Sequence, residues 1–158
     1  MIVNCTGLGA KFLCDDFKLV PIRGQVLKVA APWIKMAYYA DYDTYIVPGL
    51  NGQATLGGCR NYDSYSMEPS QYDYDSIQSR CAALVPSLKQ AKVTAVKVGL
   101  RPHRSPVRVE IEFKDTTNGI LKIVHNYGHG GYGVTTAPGT AKYACKLVKD
   151  VVTGYSRL

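Results

Sequence analysis

The segment Val124-His125-Asn126-Tyr127-Gly128-His129-Gly130-Gly131-Tyr132-Gly133-Val134-Thr135 holds the densest set of residues able to do chemistry in this chain. Gly128, Gly130, Gly131 and Gly133 bare the backbone, so its N–H groups can closely approach something flat or anionic. The β-branched pair Ile123-Val124 leads into them, and a helix-compatible stretch follows from about Pro138. That order predicts a cofactor-facing loop at a helix N-terminus. Gly128 to Gly133 is also a literal G-x-G-x-x-G, the dinucleotide fingerprint. The fingerprint needs a second parallel strand after the helix, ending in an acidic residue that holds the ribose. No such strand follows before Leu158, so a complete ADP-binding unit is not expected. A plain glycine-rich turn is the alternative. His125 and His129 stand four apart, but the glycines beside them disfavour a helix, and no metal site is expected.

Bulk properties set the frame for these residues. A length of 158 residues predicts one domain with a core of useful size. Hydrophobic residues at 46% and charged residues at 20% describe an ordinary globular protein. No apolar run approaches the ~20 residues that span a bilayer, so no membrane partner is expected, and no secretory signal is visible. The cysteines Cys5, Cys14, Cys59, Cys81 and Cys145 are scattered, with no C-x-x-C, which fits reduced thiols. The formal net charge is +7, yet the lysines and arginines form no run. Solvated faces are the expected explanation, and no nucleic acid is expected as a partner. A basic balance also suits steering of small dicarboxylates and of a cofactor pyrophosphate.

The elements that must position the loop are mostly strands. Residues 24–30, 44–49 and 53–59 are short, β-branched and bounded by turns, with Asn51-Gly52 as a hairpin signal between the last two. Residues 95–100 and 107–113 read as an antiparallel pair. In the second, Val107, Val109, Ile111 and Phe113 alternate with Arg108, Glu110 and Glu112, which predicts one buried and one wet face. Residues 115–119 form a turn, and 121–124 another strand. The tyrosine-rich stretches 38–45 and 62–74 read as loops. A helix over about 72–84 carries Ile77, Cys81 and Leu84 on one stripe and ends before Pro86. A helix over about 139–153 carries Ala141, Ala144, Cys145, Val148 and Val152 and is closed by Gly154. The fold class is α+β: an antiparallel or mixed sheet with few helices.

His125-Asn126-Tyr127-Gly128-His129-Gly130-Gly131-Tyr132-Gly133, with Gly139 and Ala141 downstream, resembles the signature of the D-amino-acid oxidase and D-aspartate oxidase family of flavoenzymes. Further blocks resemble that family in order: Val3-Asn4-Cys5-Thr6-Gly7-Leu8-Gly9, Arg23-Gly24-Gln25-Val26-Leu27-Lys28-Val29, Ala31-Pro32-Trp33, Tyr45-Ile46-Val47-Pro48-Gly49, Thr55-Leu56-Gly57-Gly58 and Val98-Gly99-Leu100-Arg101-Pro102. The resemblance implies FAD as cofactor, O2 as co-substrate, and oxidative deamination of a D-amino acid to a 2-oxo acid, ammonia and hydrogen peroxide. It implies a strand and turn of the FAD-binding domain at 1–10, a substrate-binding antiparallel sheet over 11–120, and a flavin-facing loop, helix and tail over 121–158. The N-terminal Rossmann part of the family is absent, so the chain resembles the C-terminal half.

The same resemblance assigns residues. Arg101 would clamp the substrate α-carboxylate, where a planar guanidinium fixes orientation through two parallel bonds, and Tyr45 would add its hydroxyl. The carbonyl of Gly131 would accept from the substrate amine. Gly130, Gly131, Tyr132, Gly133, Val134 and Thr135 would line the flavin, with Thr6 touching it from the other side. The positive end of the last helix would stabilise charge gathering on the reduced ring. Arg60 would read a second carboxylate, which leans the substrate toward D-aspartate, and Leu100 resembles the same branch. Gly131, where that branch has a serine, and Tyr38 and Tyr39, where it often has an arginine, lean toward neutral D-amino acids; Pro138 stands where the family usually has tryptophan. Ser156-Arg157-Leu158 resembles the tripeptide read by the peroxisomal import receptor, which implies that receptor as partner, a peroxisomal location and a cytoplasmic stage before import. The alternatives are an oxidase for neutral D-amino acids and a catalytically inactive interaction module.

Overall fold

A computed structural model describes residues 1–41 and 43–154. The expected tail signal at 156–158 therefore lies outside the described residues, as does Tyr42 of the first tyrosine-rich stretch. In chain order the elements are β1 (Ile2–Asn4), α1 (Ala10–Leu13), β2 (Val20–Ala30), β3 (Tyr38–Ala40), β4 (Thr44–Pro48), β5 (Gln53–Gly57), β6 (Asn61–Tyr62), α2 (Gln71–Leu84), β7 (Lys92–Thr116), β8 (Gly119–His129) and α3 (Gly133–Thr153). They fall into two compact units, Met1–Pro21 with Arg101–Leu158, and Ile22–Leu100. By packing, residues 11–21 and 101–120 group with the two ends of the chain, not with the sheet of residues 22–100.

In the unit of residues 22–100 the strand order is β7-β2-β5-β4-β3, with β6 also pairing β2. The β2–β5 and β4–β5 ladders are antiparallel, and Gly57 stands opposite both Val26 and Tyr45. Between β4 and β5 the turn at Asn51-Gly52 has φ of 55° and 71°, the doubly left-handed geometry that an Asn-Gly pair accepts readily. Helix α2 starts where the Ser70 side chain accepts from the Asp73 N–H at 3.3 Å. It lays Ile77 and Cys81 on Leu27, Val29, Ile46 and Leu56, and Leu88 completes the core. Leu84, expected on the same stripe, is 39% exposed, and Ala82 is buried instead.

In the other unit the order is β1-β8-β7, with β1 parallel and β7 antiparallel to β8. Val124, Ala144, Leu147 and Val151 form its core, flanked by Val109, Ile111 and Val148. The sheet is mixed and the class is α+β, as the sequence predicts.

Four expectations fail here for physical reasons. Residues 95–100 and 107–113 are not partners but two parts of one strand, β7. Pro106 falls within the irregularity where pairing with β8 shifts between His103 and Arg108, where a missing N–H breaks no ladder bond, and Pro102 stands just before it. Strand β8 runs on through Gly128 to His129, where residues 121–124 were expected. Helix α3 begins at Gly133, not near Gly139, with Pro138 inside it. The N–H that Pro138 lacks would have bonded to the carbonyl of Val134, a residue 92% exposed, so the lost bond falls in the solvent-facing first turn of the helix. The buried stripe of α3 is correspondingly Ala144, Leu147 and Val151, while Ala141, Cys145 and Val152 face outward.

Candidate functional site

Three segments meet in the unit that contains both chain ends. Strand β1 delivers the turn Thr6-Gly7, the middle of β7 delivers Arg101-Pro102-His103, and β8 ends in a single tight turn at Gly130–Tyr132 that feeds α3. Their closeness is read at the glycines. A Cβ on Gly131 would lie 3.3 Å from Arg101 Cδ and 3.6 Å from its Nε. One on Gly130 (φ 58°) would lie 3.2 Å from His103 Nδ1, and one on Gly7 (φ 56°) 3.7 Å from Pro102 Cγ. The structure thus brings Arg101 to Gly131, His103 to Gly130, and Pro102 to the Gly7 that follows Thr6. Tyr132, at the end of that tight turn, and Val134 and Thr135, on the first turn of α3, are exposed beside half-exposed Gly133.

Behind this turn lies a buried network that sequence analysis missed. The N–H and hydroxyl of Thr6 both donate to Asn4 Oδ1, at 3.1 and 2.7 Å. That fixes the Asn4 amide, whose Nδ2 then donates to His125 Nδ1 at 3.1 Å. The proton of His125 must therefore sit on Nε2, which donates to Glu112 Oε2 at 2.9 Å. His125 is fully buried, and burial together with the Arg108 charge holds its pKa below the usual histidine value. The neutral ring demanded by the hydrogen bonds agrees with that direction.

Arg108 links Glu112 at 2.8 Å to the hydroxyl of Tyr127 at 2.9 Å. Tyr127 donates in turn to Asp16 Oδ2 at 2.7 Å, which also accepts from Arg104 Nε at 2.6 Å. Burial opposes ionisation of Asp16 and Glu112, yet the hydrogen bonds and nearby arginines outweigh it and hold both carboxyls below their usual range. Burial and the bond to Asp16 push the Tyr127 phenol up to about 12. The expected wet face of β7 is thus half-closed around charge, and Arg104 and Arg108 are not on solvated faces. The expected buried face of β7 is only partly closed, with Val107 and Phe113 exposed, and the partners from β1, the segment after α1, and β8 were not visible in sequence.

In the unit of residues 22–100, Tyr45 lies against Gly57-Gly58. A Cβ on Gly57 would overlap the Tyr45 ring, and one on Gly58 would sit 3.0 Å from Tyr45 Cε1 and 3.1 Å from its hydroxyl oxygen. The glycine pair is therefore the floor on which Tyr45 rests. The Gly58 carbonyl accepts from Arg80 at 2.5 Å, and the Tyr39 ring lies 6.0 Å from that of Tyr45. Arg60 pairs with Asp43 at 2.7 Å, with side chains 57% and 29% exposed.

Its loop is fastened by buried Arg23, which donates to Asp73 (2.7 Å), Asn61 (3.0 Å), Gln25 (3.1 Å) and the carbonyls of Ser66 (3.0 Å) and Glu68 (2.7 Å). Cys59, beside Arg60, accepts from the Gln25 N–H at 3.2 Å, and burial pushes its thiol pKa up, away from reactivity. Asp43 escaped the sequence analysis because it stands 17 positions before Arg60 with no motif of its own.

Residues 1–147 match the family described as FAD dependent oxidoreductase. This chain belongs to that family. It is 43% identical over 154 residues to D-aspartate oxidase of Homo sapiens, covering 96% of this chain and 45% of that protein. It is 44% identical over 152 residues to a D-amino-acid oxidase of Streptomyces coelicolor, covering 93% and 46%. It also resembles the crystal structure of glycine oxidase from Geobacillus kaustophilus, with a TM-score of 0.78 at 23% identity, over 93% of this chain and 40% of that one, a likeness of fold. The chain spans about half the length of the curated relatives it matches.

The cofactor of the family is FAD. The residues present fit it on grounds internal to this chain. Asn126 Oδ1 and His129 Nε2 are buried without a hydrogen-bond partner, both within the glycine segment. The first turn of α3 is exposed, and the positive end of that helix suits a group that carries or gathers negative charge. Thr6, Gly130 to Thr135 and His129 are the residues that would hold it.

Proposed function

We propose that this chain is the substrate-recognising, flavin-facing half of a D-amino-acid oxidase, with D-aspartate as the favoured substrate. FAD, when bound, supplies the acceptor for the hydride of the substrate Cα and, through O2, the hydrogen peroxide that accompanies the 2-oxo acid and ammonia. Arg101 pairs with the α-carboxylate, and the Gly131 carbonyl accepts from the amine. Together they fix which face of the Cα is presented, because a planar fork and one acceptor define an orientation. Tyr45 adds a hydroxyl to the carboxylate, and Arg60 reads the second carboxylate of an acidic substrate. Import into peroxisomes through Ser156-Arg157-Leu158 suits a peroxide-releasing enzyme.

The closeness of Gly131 to the stem of Arg101 supports this reading, because an α-amino acid requires a backbone acceptor near a guanidinium. Titrating the purified chain with FAD should produce a flavin absorption spectrum that co-elutes with the protein. D-Aspartate should then perturb it, and Arg101→Ala should abolish that response. A chain that takes up no FAD would instead support the reading of an inactive interaction module. A preference for neutral D-amino acids is favoured by Gly131, Tyr38 and Tyr39 in the sequence and by the pairing of Arg60 with Asp43.

A further inference from the structure

We propose that Asp43 is a specificity-determining residue that occupies Arg60 as an internal competitor, so that a dicarboxylic substrate must displace it while a neutral D-amino acid need not. This rests on the proposed placement of Arg60 against the substrate side chain. The Asp43 carboxylate lies 2.7 Å from Arg60 Nη2, the place where a second carboxylate would have to bind. Both ends of the pair are tethered. Asp43 adopts a left-handed φ of 62° in the turn between β3 and β4, whose next residue, Thr44, is buried and donates its N–H to Asp41 O at 3.1 Å. Arg60 is followed directly by Asn61, which β6 pairs with Arg23 and whose side chain Arg23 also holds. Tyr45 follows Asp43 by two residues, on the strand against Gly57-Gly58.

A pair this exposed is weak enough to exchange. A solvated ion pair changes an equilibrium by at most about fivefold, and the freed Asp43 carboxylate would repel a second carboxylate beside it. Competition and repulsion act in the same direction: both weaken binding of D-aspartate and leave D-alanine unaffected. Asp43→Asn removes both effects while keeping a side chain that tolerates a left-handed backbone.

The test is calorimetric titration of the full chain with D-aspartate and with D-alanine, for the wild type, D43N, R60A and D43N/R60A, each checked for an unchanged far-UV spectrum. D43N should bind D-aspartate about threefold to tenfold tighter than wild type, with D-alanine within about twofold, and D43N/R60A should lose the gain. If R60A weakens D-aspartate binding but D43N leaves it unchanged or undetectable, Asp43 does not compete, and the proposed function stands without it. If R60A has no effect in either background, the placement of Arg60 is wrong, and the proposal for Asp43 falls with it.

Discussion

The two units each bury an arginine against an aspartate, but they surround the pair differently. Arg23 in the unit of residues 22–100 spreads its donors over one carboxylate, two amide side chains and two backbone carbonyls. Arg104 and Arg108 in the other unit share their carboxylates with a phenol and reach an imidazole through Glu112. The first arrangement is a mechanical tie that holds the loop of Arg60 against β2. The second is a brace behind Thr6 and the glycine segment, and it contains groups whose protonation changes with pH. The same ion-pair chemistry therefore yields a fixed anchor in one place and a proton-sensitive support in the other.

The largest effect should come from cutting the tie. Arg23→Ala leaves Asp73 buried and two carbonyls without their donor, and should cost about 3–5 kcal/mol in urea unfolding. A loss below about 1 kcal/mol would show that the loop holds without it, which would erase the contrast. Gly57→Ala should come next. Its methyl group collides with the Tyr45 ring, and forced repacking of that kind costs about 1–3 kcal/mol. Combining it with Tyr45→Ala should remove most of the penalty, and equal losses in the single and double variants would mean that the ring is not the obstacle.

Lowering the pH separates the two regions directly. Burial holds the folded pKa of His125 below the ordinary histidine value of 6.5, so the unfolded chain binds the extra proton and stability falls as pH drops below that value. Asp16 and Glu112 are also depressed, so a second loss follows below the ordinary carboxyl values of 3.8 and 4.5. Thermal midpoints measured from neutral to acid pH should show both legs, and His125→Asn should flatten the first. An unchanged first leg would place the acid sensitivity elsewhere. The smallest effect is expected at Gly131→Ser. Gly131 has no left-handed φ, and the added Cβ meets only the flexible stem of Arg101, so stability should stay within about 0.5 kcal/mol. Binding of a carboxylate at Arg101 should weaken nonetheless, as its stem is pushed aside; unaltered binding would detach Gly131 from Arg101.

Local chemistry in the sequence was enough for the class and for several parts. Asn51-Gly52 predicts its hairpin because few other pairs accept two positive φ values, and Gly154 closes α3 in the left-handed conformation that its lack of a Cβ permits. The ordered glycine, arginine and tyrosine blocks point to the family because each block constrains backbone approach locally. What lies between distant segments was not legible. Strand β7 looked like two strands, because nothing in its own letters says which neighbour each part pairs with. The stripe of α3 facing Val124 was decided by packing, not by the period alone, which allowed Ala141 and Cys145 as readily as Leu147 and Val151. The tautomer of His125 depends on Thr6 fixing an amide on Asn4, and the state of Arg60 depends on an aspartate from another turn. Such properties belong to pairs of groups that only the folded chain brings within hydrogen-bond reach, and the energy of a charge is set by those partners and by the water they exclude.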